Sequence, residues 1–211
     1  MVLFQKQTTQ GKDKYLKKQI KLKVLSLLFL VLLFSKNVAG EELNSKIIKY
    51  LQGLKSFSSN FVQSDGTLLE EGHIYIKDGI IRLDYTNPER TLKISNEKGV
   101  YINHELKEEE FFSTKKNIIK IFYDIFLKNS FLSSLTPKEN NNAIVFEKII
   151  QLESSKVNLT IFFETNPLIL RKIISKTEGD LITISFYAHN YNAAFEESFF
   201  SFVPIYLDWL L

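Results

Sequence analysis

The chain has 211 residues, with 27 Lys and Arg against 24 Asp and Glu and a formal net charge of +3. The charge is unevenly distributed, because residues 1–40 hold eight of the lysines and a single acid, which leaves 19 basic and 23 acidic groups beyond them. An acidic remainder argues against a nucleic-acid partner. The absence of cysteine excludes disulfides, thiolate metal sites, cysteine nucleophiles and a lipid-modified N-terminal cysteine.

The first forty residues have the pattern of a signal peptide. Several lysines precede Val24–Phe34, an apolar run of eleven residues that is too short to span a bilayer as a helix. The small residues Ala39 and Gly40 place the expected cleavage site beside them; an uncleaved anchor or a buried helix is the alternative. We therefore predict a signal peptide at 1–40 and a single domain at 41–211, exported to the periplasm.

The exported part begins with a predicted amphipathic helix. Its apolar positions recur at helical spacing, at Leu43, Ile47, Leu51 and Leu54. Gly53 weakens the last turn and helps to end the helix. Ser56–Gln63 follows as a predicted strand, because Phe57 and Phe61 lie on the same face of an extended segment.

The segment Gly72–Pro88 predicts a β-hairpin. Apolar residues alternate along both halves, at Ile74 and Ile76 in the first and at Ile81, Leu83 and Tyr85 in the second. Asp78-Gly79 supplies the turn, since glycine tolerates the positive φ of a tight hairpin. Asn87-Pro88 ends the second strand because proline has no N–H to donate.

A second predicted hairpin joins Thr91–Ser95 to Val100–His104 through the loop Asn96–Gly99. Glu105–Ser113 continues the meander. Within it, the acidic run Glu108–Glu110 is interpreted as a solvated face rather than as a metal or catalytic cluster.

The segment Asn117–Lys128 predicts an unusually apolar helix. Lys120, Asp124 and Lys128 form a single thin polar stripe, and nearly every other position is Ile, Phe, Tyr or Leu. A surface helix needs only one apolar face. This helix must therefore be covered on two sides or border an apolar cavity; a plain core helix is the alternative.

The C-terminal third returns to predicted strands, at Ala143–Ile150, Val157–Phe163, Ile169–Lys176 and Leu181–Ala188. Consecutive apolar residues such as Ile161-Phe162-Phe163 indicate burial of both faces. Phe199–Val203 is a candidate last strand, and the tail Ile205–Leu211 is unusually apolar. The pattern as a whole predicts a mainly β, α+β fold, in which one curved antiparallel sheet is covered on its apolar inner face by two or three helices.

No catalytic pattern emerges from the residue inventory. The three histidines, His73, His104 and His189, are far apart and in no metal-ligand spacing. The glycines form no phosphate-binding loop, and no nucleophile elbow is present. We therefore expect no enzyme activity, no metal and no cofactor.

The order of several short motifs resembles the LolA family of periplasmic outer-membrane lipoprotein carrier proteins. After a signal peptide and one helix come Phe61-x-Gln63, Gly72-x-Ile74-Tyr75-Ile76 and Arg82-Leu83-x-Tyr85-x-x-Pro88. A hairpin from Ser95 to Val100, the apolar helix, Asn166-Pro167-Leu168 and a Phe-rich closing strand agree with the same family. The resemblance covers roughly residues 43–203.

The resemblance implies an incomplete β-barrel closed by helices around an apolar cavity. Such proteins act as monomers that accept acylated lipoproteins from an inner-membrane ABC transporter and deliver them to the outer membrane, directly or through a receptor. The family has an arginine in the first hairpin turn that helps to latch the helical lid. Here the turn is Lys77-Asp78-Gly79, so Lys77 is a candidate replacement; Arg82 matches the family's second arginine.

Candidate lipid-binding residues follow from the hairpin and the apolar helix: Ile74, Ile76, Ile81, Leu83, Tyr85, Phe122 and Phe126. For each of them, ordinary core packing is the alternative. For the whole chain, the alternatives are a periplasmic lipid- or lipoprotein-sensing regulatory domain of the same fold and a plain structural or adhesion domain.

Overall fold

The computed structural model describes residues 42–115, 118–152 and 155–206. The predicted signal peptide and residues 207–211 of the apolar tail lie outside the described residues. The described residues from Asn44 onward belong to one compact unit, which contains every described strand.

The helices and strands largely follow the predicted order. Helix α1 covers residues 42–52, α2 covers Ile118–Leu127 and α3 covers Asn129–Ser133. The strands are β1 Ser56–Ser64, β2 Leu69–Lys77, β3 Ile80–Tyr85, β4 Arg90–Ile94, β5 Lys98–Asn103, β6 Glu108–Ser113, β7 Lys138–Asn140, β8 Ala143–Gln151, β9 Lys156–Thr165, β10 Leu168–Lys176 and β11 Leu181–Asn190. A 3₁₀ helix, Glu197–Phe200, follows them.

The eleven strands form a single antiparallel sheet in the order β6-β5-β4-β3-β2-β1-β11-β10-β9-β8-β7. Strand β1 pairs with β2 on one side and with β11 on the other, so the first and last strands in chain order are neighbours in the middle of the sheet. The edge strands β6 and β7 are not paired with each other. The sheet is therefore curved but unclosed, which confirms the predicted incomplete β-barrel with helices.

The inner face of the sheet holds the core. Phe57 and Phe61 of β1 pair across the ladder with Ile76 and Gly72 of β2, so their side chains share this face. The largest fully buried side chains include Phe61, Phe146 and Phe163. Helix α1 packs on the same face, because the ring of Tyr50 contacts Phe163 edge-on.

The outer face of β2 to β6 is covered by residues 195–206, which we call the C-terminal segment. Its Phe199 ring packs edge-on against Tyr75 and lies under the Arg82 guanidinium. Lys93 Nζ donates to the Ser201 carbonyl at 2.6 Å although Lys93 is only 6% exposed. Burial accordingly lowers the pKa of Lys93.

The prediction of a last strand at Phe199–Val203 is wrong. The chain instead forms the 3₁₀ helix and then runs on without joining the sheet. Its aromatic side chains pack on the outer face, and the carbonyls of Phe199 and Ser201 accept hydrogen bonds from Arg82 and Lys93 instead of from a neighbouring strand.

Two smaller differences concern the sheet. Strand β7 was not predicted, because its three residues are all polar and exposed. On β9, Ile161 and Phe163 are buried on the inner face, whereas Phe162 on the outer face is only half-buried.

The acidic run Glu108–Glu110 is largely solvated as predicted, except that Glu109 accepts hydrogen bonds from the backbone N–H groups of Ile205 and Tyr206.

Candidate functional site

An apolar cavity of about 160 Å³ lies between helix α2 and the inner face of the sheet. Among its described lining residues none is charged, and the polar ones are Gln63, Tyr85 and Ser175. The apolar lining comes from α2 and from the inner face of strands in both halves of the sheet: Leu83, Leu92, Ile94, Ile118, Ile119, Ile121, Phe122, Ile125, Leu159, Ile173, Ile182 and Ile184.

The hairpin β2–β3 supplies one wall of the cavity. Its turn residues Asp78 and Gly79 have φ values of 49° and 78°, the left-handed conformation that the sequence predicted. This turn pairs Ile76 with Ile81 and Ile74 with Leu83. Side chains two residues apart then share a face, which places Leu83 in the cavity wall.

Helix α2 supplies the opposite wall. Ile118 and Phe122 face the cavity, and Phe126 packs edge-on against Phe186 of β11. The hydroxyl of Tyr123 donates to the carbonyl oxygen of Gly79 at 3.2 Å, which ties α2 to the β2–β3 turn. Burial raises the pKa of Tyr123, so this hydroxyl keeps its proton at neutral pH.

The structure divides the predicted lipid-binding residues into two groups. Leu83, Tyr85 and Phe122 line the cavity. The other four are packed in the core next to it, with exposed fractions of at most 3%: Ile74, Ile76, Ile81 and Phe126.

The two candidates for a lid latch lie on the outer face, opposite α2. Lys77 Nζ donates to the Phe195 carbonyl at 3.5 Å, and Arg82 Nη1 donates to the Phe199 carbonyl at 2.8 Å. Arg82 Nε also pairs with the carboxylate of Asp84 at 2.8 Å. Both cations thus hold the C-terminal segment, whereas the described contact of α2 with the hairpin turn is made by Tyr123.

A polar network borders one end of the cavity. Tyr85 donates to Gln63 Oε1 at 3.1 Å, Gln63 Nε2 donates to Glu70 at 3.2 Å, and Arg90 pairs with Glu70. The Arg90 guanidinium lies 4.7 Å from the centre of the Tyr85 ring. Burial and the neighbouring Glu70 raise the pKa of Tyr85 to about 12, so its hydroxyl acts as a donor.

Three of these residues are not among the candidates predicted from the sequence, and two of them carry a usable signal. Gln63 lies two positions beyond Phe61 on the same face of β1, so strand alternation assigns it to the inner face. Arg90 pairs with Tyr85 across β3 and β4, but that pairing depends on the register of the hairpin. Tyr123 carried no signal, because its partner is a backbone carbonyl 44 residues away.

Within residues 42–115, 118–152 and 155–206, no group of three or more His, Cys, Asp or Glu side chains could hold a metal ion. Among the same residues, no helix has both the length and the apolar character to cross a membrane.

No protein-family model and no curated protein sequence matches the chain. Three solved structures share part of the backbone trace. An uncharacterised conserved protein from Thermus thermophilus is 6% identical over 76% of this chain and 94% of that one, with a TM-score of 0.49. LprF from Mycobacterium bovis is 9% identical over 74% and 95%, with a TM-score of 0.41. The MucA/MucB complex of Pseudomonas aeruginosa is 14% identical over 74% and 60%, with a TM-score of 0.42. The resemblance to the LolA family therefore rests on the sequence motifs and stays a prediction.

Proposed function

We propose that this protein is a periplasmic carrier that binds the acyl chains of lipoproteins in the cavity under α2. The observation that carries the proposal is the cavity itself, which is apolar, has no charged residue among the described ones that line it, and is bounded by a helix that is apolar around most of its circumference. Protein interiors are normally close-packed, so an apolar space between a helix and a sheet suits an apolar ligand.

Burial of a hydrocarbon chain supplies the binding energy. Each CH₂ group removed from water contributes roughly 0.8 kcal/mol, so even part of one acyl chain gives measurable affinity. Apolar cavities of about 150 Å³ accept a ligand the size of benzene. A cavity of about 160 Å³ therefore holds only a short part of a long chain, and full binding requires α2 to move away from the sheet.

The motif order supports the direction of transport and the partners. Lipoproteins would be received from an inner-membrane ABC transporter and delivered to the outer membrane or to a receptor there. A lipid- or lipoprotein-sensing domain of the same fold would bind acyl chains without releasing lipoproteins from a membrane, so one assay separates the two functions.

That assay measures the release of a lipoprotein. Spheroplasts that carry a labelled outer-membrane lipoprotein are incubated with the purified protein, and we expect the label in the soluble fraction as a one-to-one complex. A folded protein that binds acyl chains but releases no lipoprotein would contradict the carrier function and favour the sensing domain.

A variant that fills the cavity, compared with a matched control variant on the outer face, tests where the acyl chain binds. Ser175 lines the cavity, whereas Ser185 lies on the outer face, where it pairs with Val62 and Lys172. We expect Ser175→Phe to reduce release at least tenfold because the new ring occupies the site, and Ser185→Phe to leave release unchanged. Leu83 is less suitable for this test, because it is only 2% exposed and a polar substitution there would destabilise the sheet.

A further inference from the structure

A second groove lies along helix α2, beside the apolar cavity. It has a volume of about 350 Å³ and is lined by residues of α2, α3 and their junction, by Lys115 before α2, and by residues in and just after strand β8. The proposed function leaves this groove without a role. Its lining combines two features that bear on a ligand, a cationic rim and an apolar floor.

The rim carries four lysines and, among the described lining residues, one carboxylate. That carboxylate, Asp124, is paired with Lys120 one helical turn away. The Lys148 ammonium lies 4.4 Å from the centre of the Phe131 ring, and Lys128 is exposed at the end of α2. Lys128 and Lys148 thus present positive charge to the groove beyond what Asp124 neutralises.

The floor adjoins the apolar cavity at one shared residue. It is formed by Ile121, Phe131, Ile150 and Leu152. Ile121 lines both the groove and the cavity and is itself 7% exposed. One isoleucine on α2 therefore borders both spaces, which makes the cavity and the lysine-lined groove neighbours along the helix.

We propose that the groove binds the anionic head group, a phosphate or a carboxylate, of an acyl-chain ligand whose tail occupies the cavity. The inference rests on the proposed acyl-chain site for the tail and extends its ligands to amphiphiles with an anionic head, a group that the acylated cysteine of a lipoprotein does not itself carry. Ammonium groups and anions attract each other, and the apolar floor favours an anion attached to a hydrocarbon chain over a free one.

The test compares three probes on the full-length protein by titration calorimetry, at concentrations below micelle formation. The probes are dodecyl phosphate, dodecylphosphocholine with the same chain and a zwitterionic head, and inorganic phosphate. We expect dodecyl phosphate to bind about tenfold more tightly than dodecylphosphocholine, and inorganic phosphate at least a hundredfold more weakly than dodecyl phosphate. The tenfold difference in affinity between the two dodecyl probes corresponds to the binding free energy of two exposed charge pairs of ordinary strength.

Two double variants locate the effect. Lys128→Gln with Lys148→Gln removes the charge from the groove, and Lys172→Gln with Lys176→Gln removes equal charge from β10, outside the groove. The groove variant should bind both dodecyl probes equally, whereas the β10 variant should keep the tenfold preference. Thermal unfolding of both variants confirms that they are folded.

Three other outcomes would overturn the head-group site. Equal binding of both dodecyl probes by the unmodified protein overturns the head-group site and leaves the carrier function standing. Inorganic phosphate binding as tightly as dodecyl phosphate also overturns it, since the groove would then be a free-anion site. Binding of neither dodecyl probe contradicts the acyl-chain cavity, and the head-group site fails with it.

Discussion

At the scale of single residues, Gly72 marks the closest approach of β2 to its neighbours. A Cβ atom built on Gly72 would collide with the carbonyl oxygen of Asp84 on β3 and with the ring of Phe61 on β1. The backbone oxygen cannot move without disturbing the ladder between β2 and β3. Glycine is therefore required here by space rather than by its dihedral angles.

We predict that Gly72→Ala lowers the free energy of unfolding by about 1–3 kcal/mol, the usual cost of overpacking. Urea denaturation followed by circular dichroism measures the change. Gly179→Ala is the matched control, because a Cβ at Gly179 meets nothing within 4 Å, and its effect should stay within about 0.5 kcal/mol. Equal effects of the two substitutions would contradict the collision at Gly72.

His189 gives a prediction about pH. Its Nε2 donates to the Leu170 carbonyl at 3.1 Å, and burial lowers its pKa below the ordinary value near 6.5. The folded state therefore takes up this proton less readily than the unfolded state. The stabilisation is complete above about pH 6.5 and is lost as the pH falls through the lower pKa of the folded protein.

We expect the urea midpoint of the unmodified protein to fall between pH 7.5 and pH 5, and to fall less in His189→Gln. Glutamine can still donate to the Leu170 carbonyl but does not titrate in this range. The difference between the two proteins in the pH-dependent loss is the quantity to measure. An identical loss in both proteins would show that His189 does not contribute to it.

The residues of the β2–β3 hairpin show what the sequence determines and what it leaves open. Strand alternation placed Ile81, Leu83 and Tyr85 on one face, and the register confirms that face. Of these three, Leu83 and Tyr85 line the cavity, whereas Ile81 is buried in the core although its partner Ile94 on β4 lines the cavity. This division depends on how α2 packs across the sheet, which is set by contacts distant in sequence, such as Phe126 with Phe186.

At the scale of elements, helix α2 is the part that the proposed binding of a long acyl chain requires to move. Its contacts with the sheet are mostly apolar, and its described hydrogen bond to the β2–β3 turn is the one from Tyr123 to Gly79. Apolar contacts have no directional requirement, so they can be exchanged for contacts with a ligand. The Tyr123 hydrogen bond is the directional contact that opening would break.

We predict that Tyr123→Phe destabilises the closed position of α2 by about 1 kcal/mol, the typical net contribution of one hydrogen bond. Amide hydrogen exchange across Ile118–Leu127 should become about fivefold faster, while exchange in β9 stays unchanged. Tyr187→Phe, at an exposed position on β11, is the control and should leave both rates unchanged. Unchanged exchange in α2 of Tyr123→Phe would show that this hydrogen bond does not hold the helix.

Helix α2 and the C-terminal segment differ in how far the sequence determines their structure. Helix α2 was predictable from its own residues, since Lys120 and Asp124 leave room for only a thin polar stripe. The C-terminal segment was not, because its apolar residues suit a strand as well as a cover for the outer face. Its place is set by Lys93 and Arg82, more than 100 residues earlier, which donate to its carbonyls.

At the scale of the whole molecule, different parts of the chain cover the two faces of the sheet. The C-terminal segment covers part of the outer face and is fastened by Lys93 and Arg82. The helices cover the inner face, where an apolar cavity remains beneath α2. One face therefore holds the C-terminal segment, while the other keeps an apolar space, which is the proposed ligand site.

Binding of an acylated lipopeptide, detected by native mass spectrometry, tests the proposed use of that space most directly. The full-length protein is mixed with a triacylated lipopeptide and, separately, with the same peptide without acyl chains. We predict a one-to-one complex with the acylated peptide alone, and loss of that complex in Ser175→Phe but not in Ser185→Phe. Equal binding of both peptides, or a complex that survives Ser175→Phe unchanged, would contradict an acyl-chain site in the cavity.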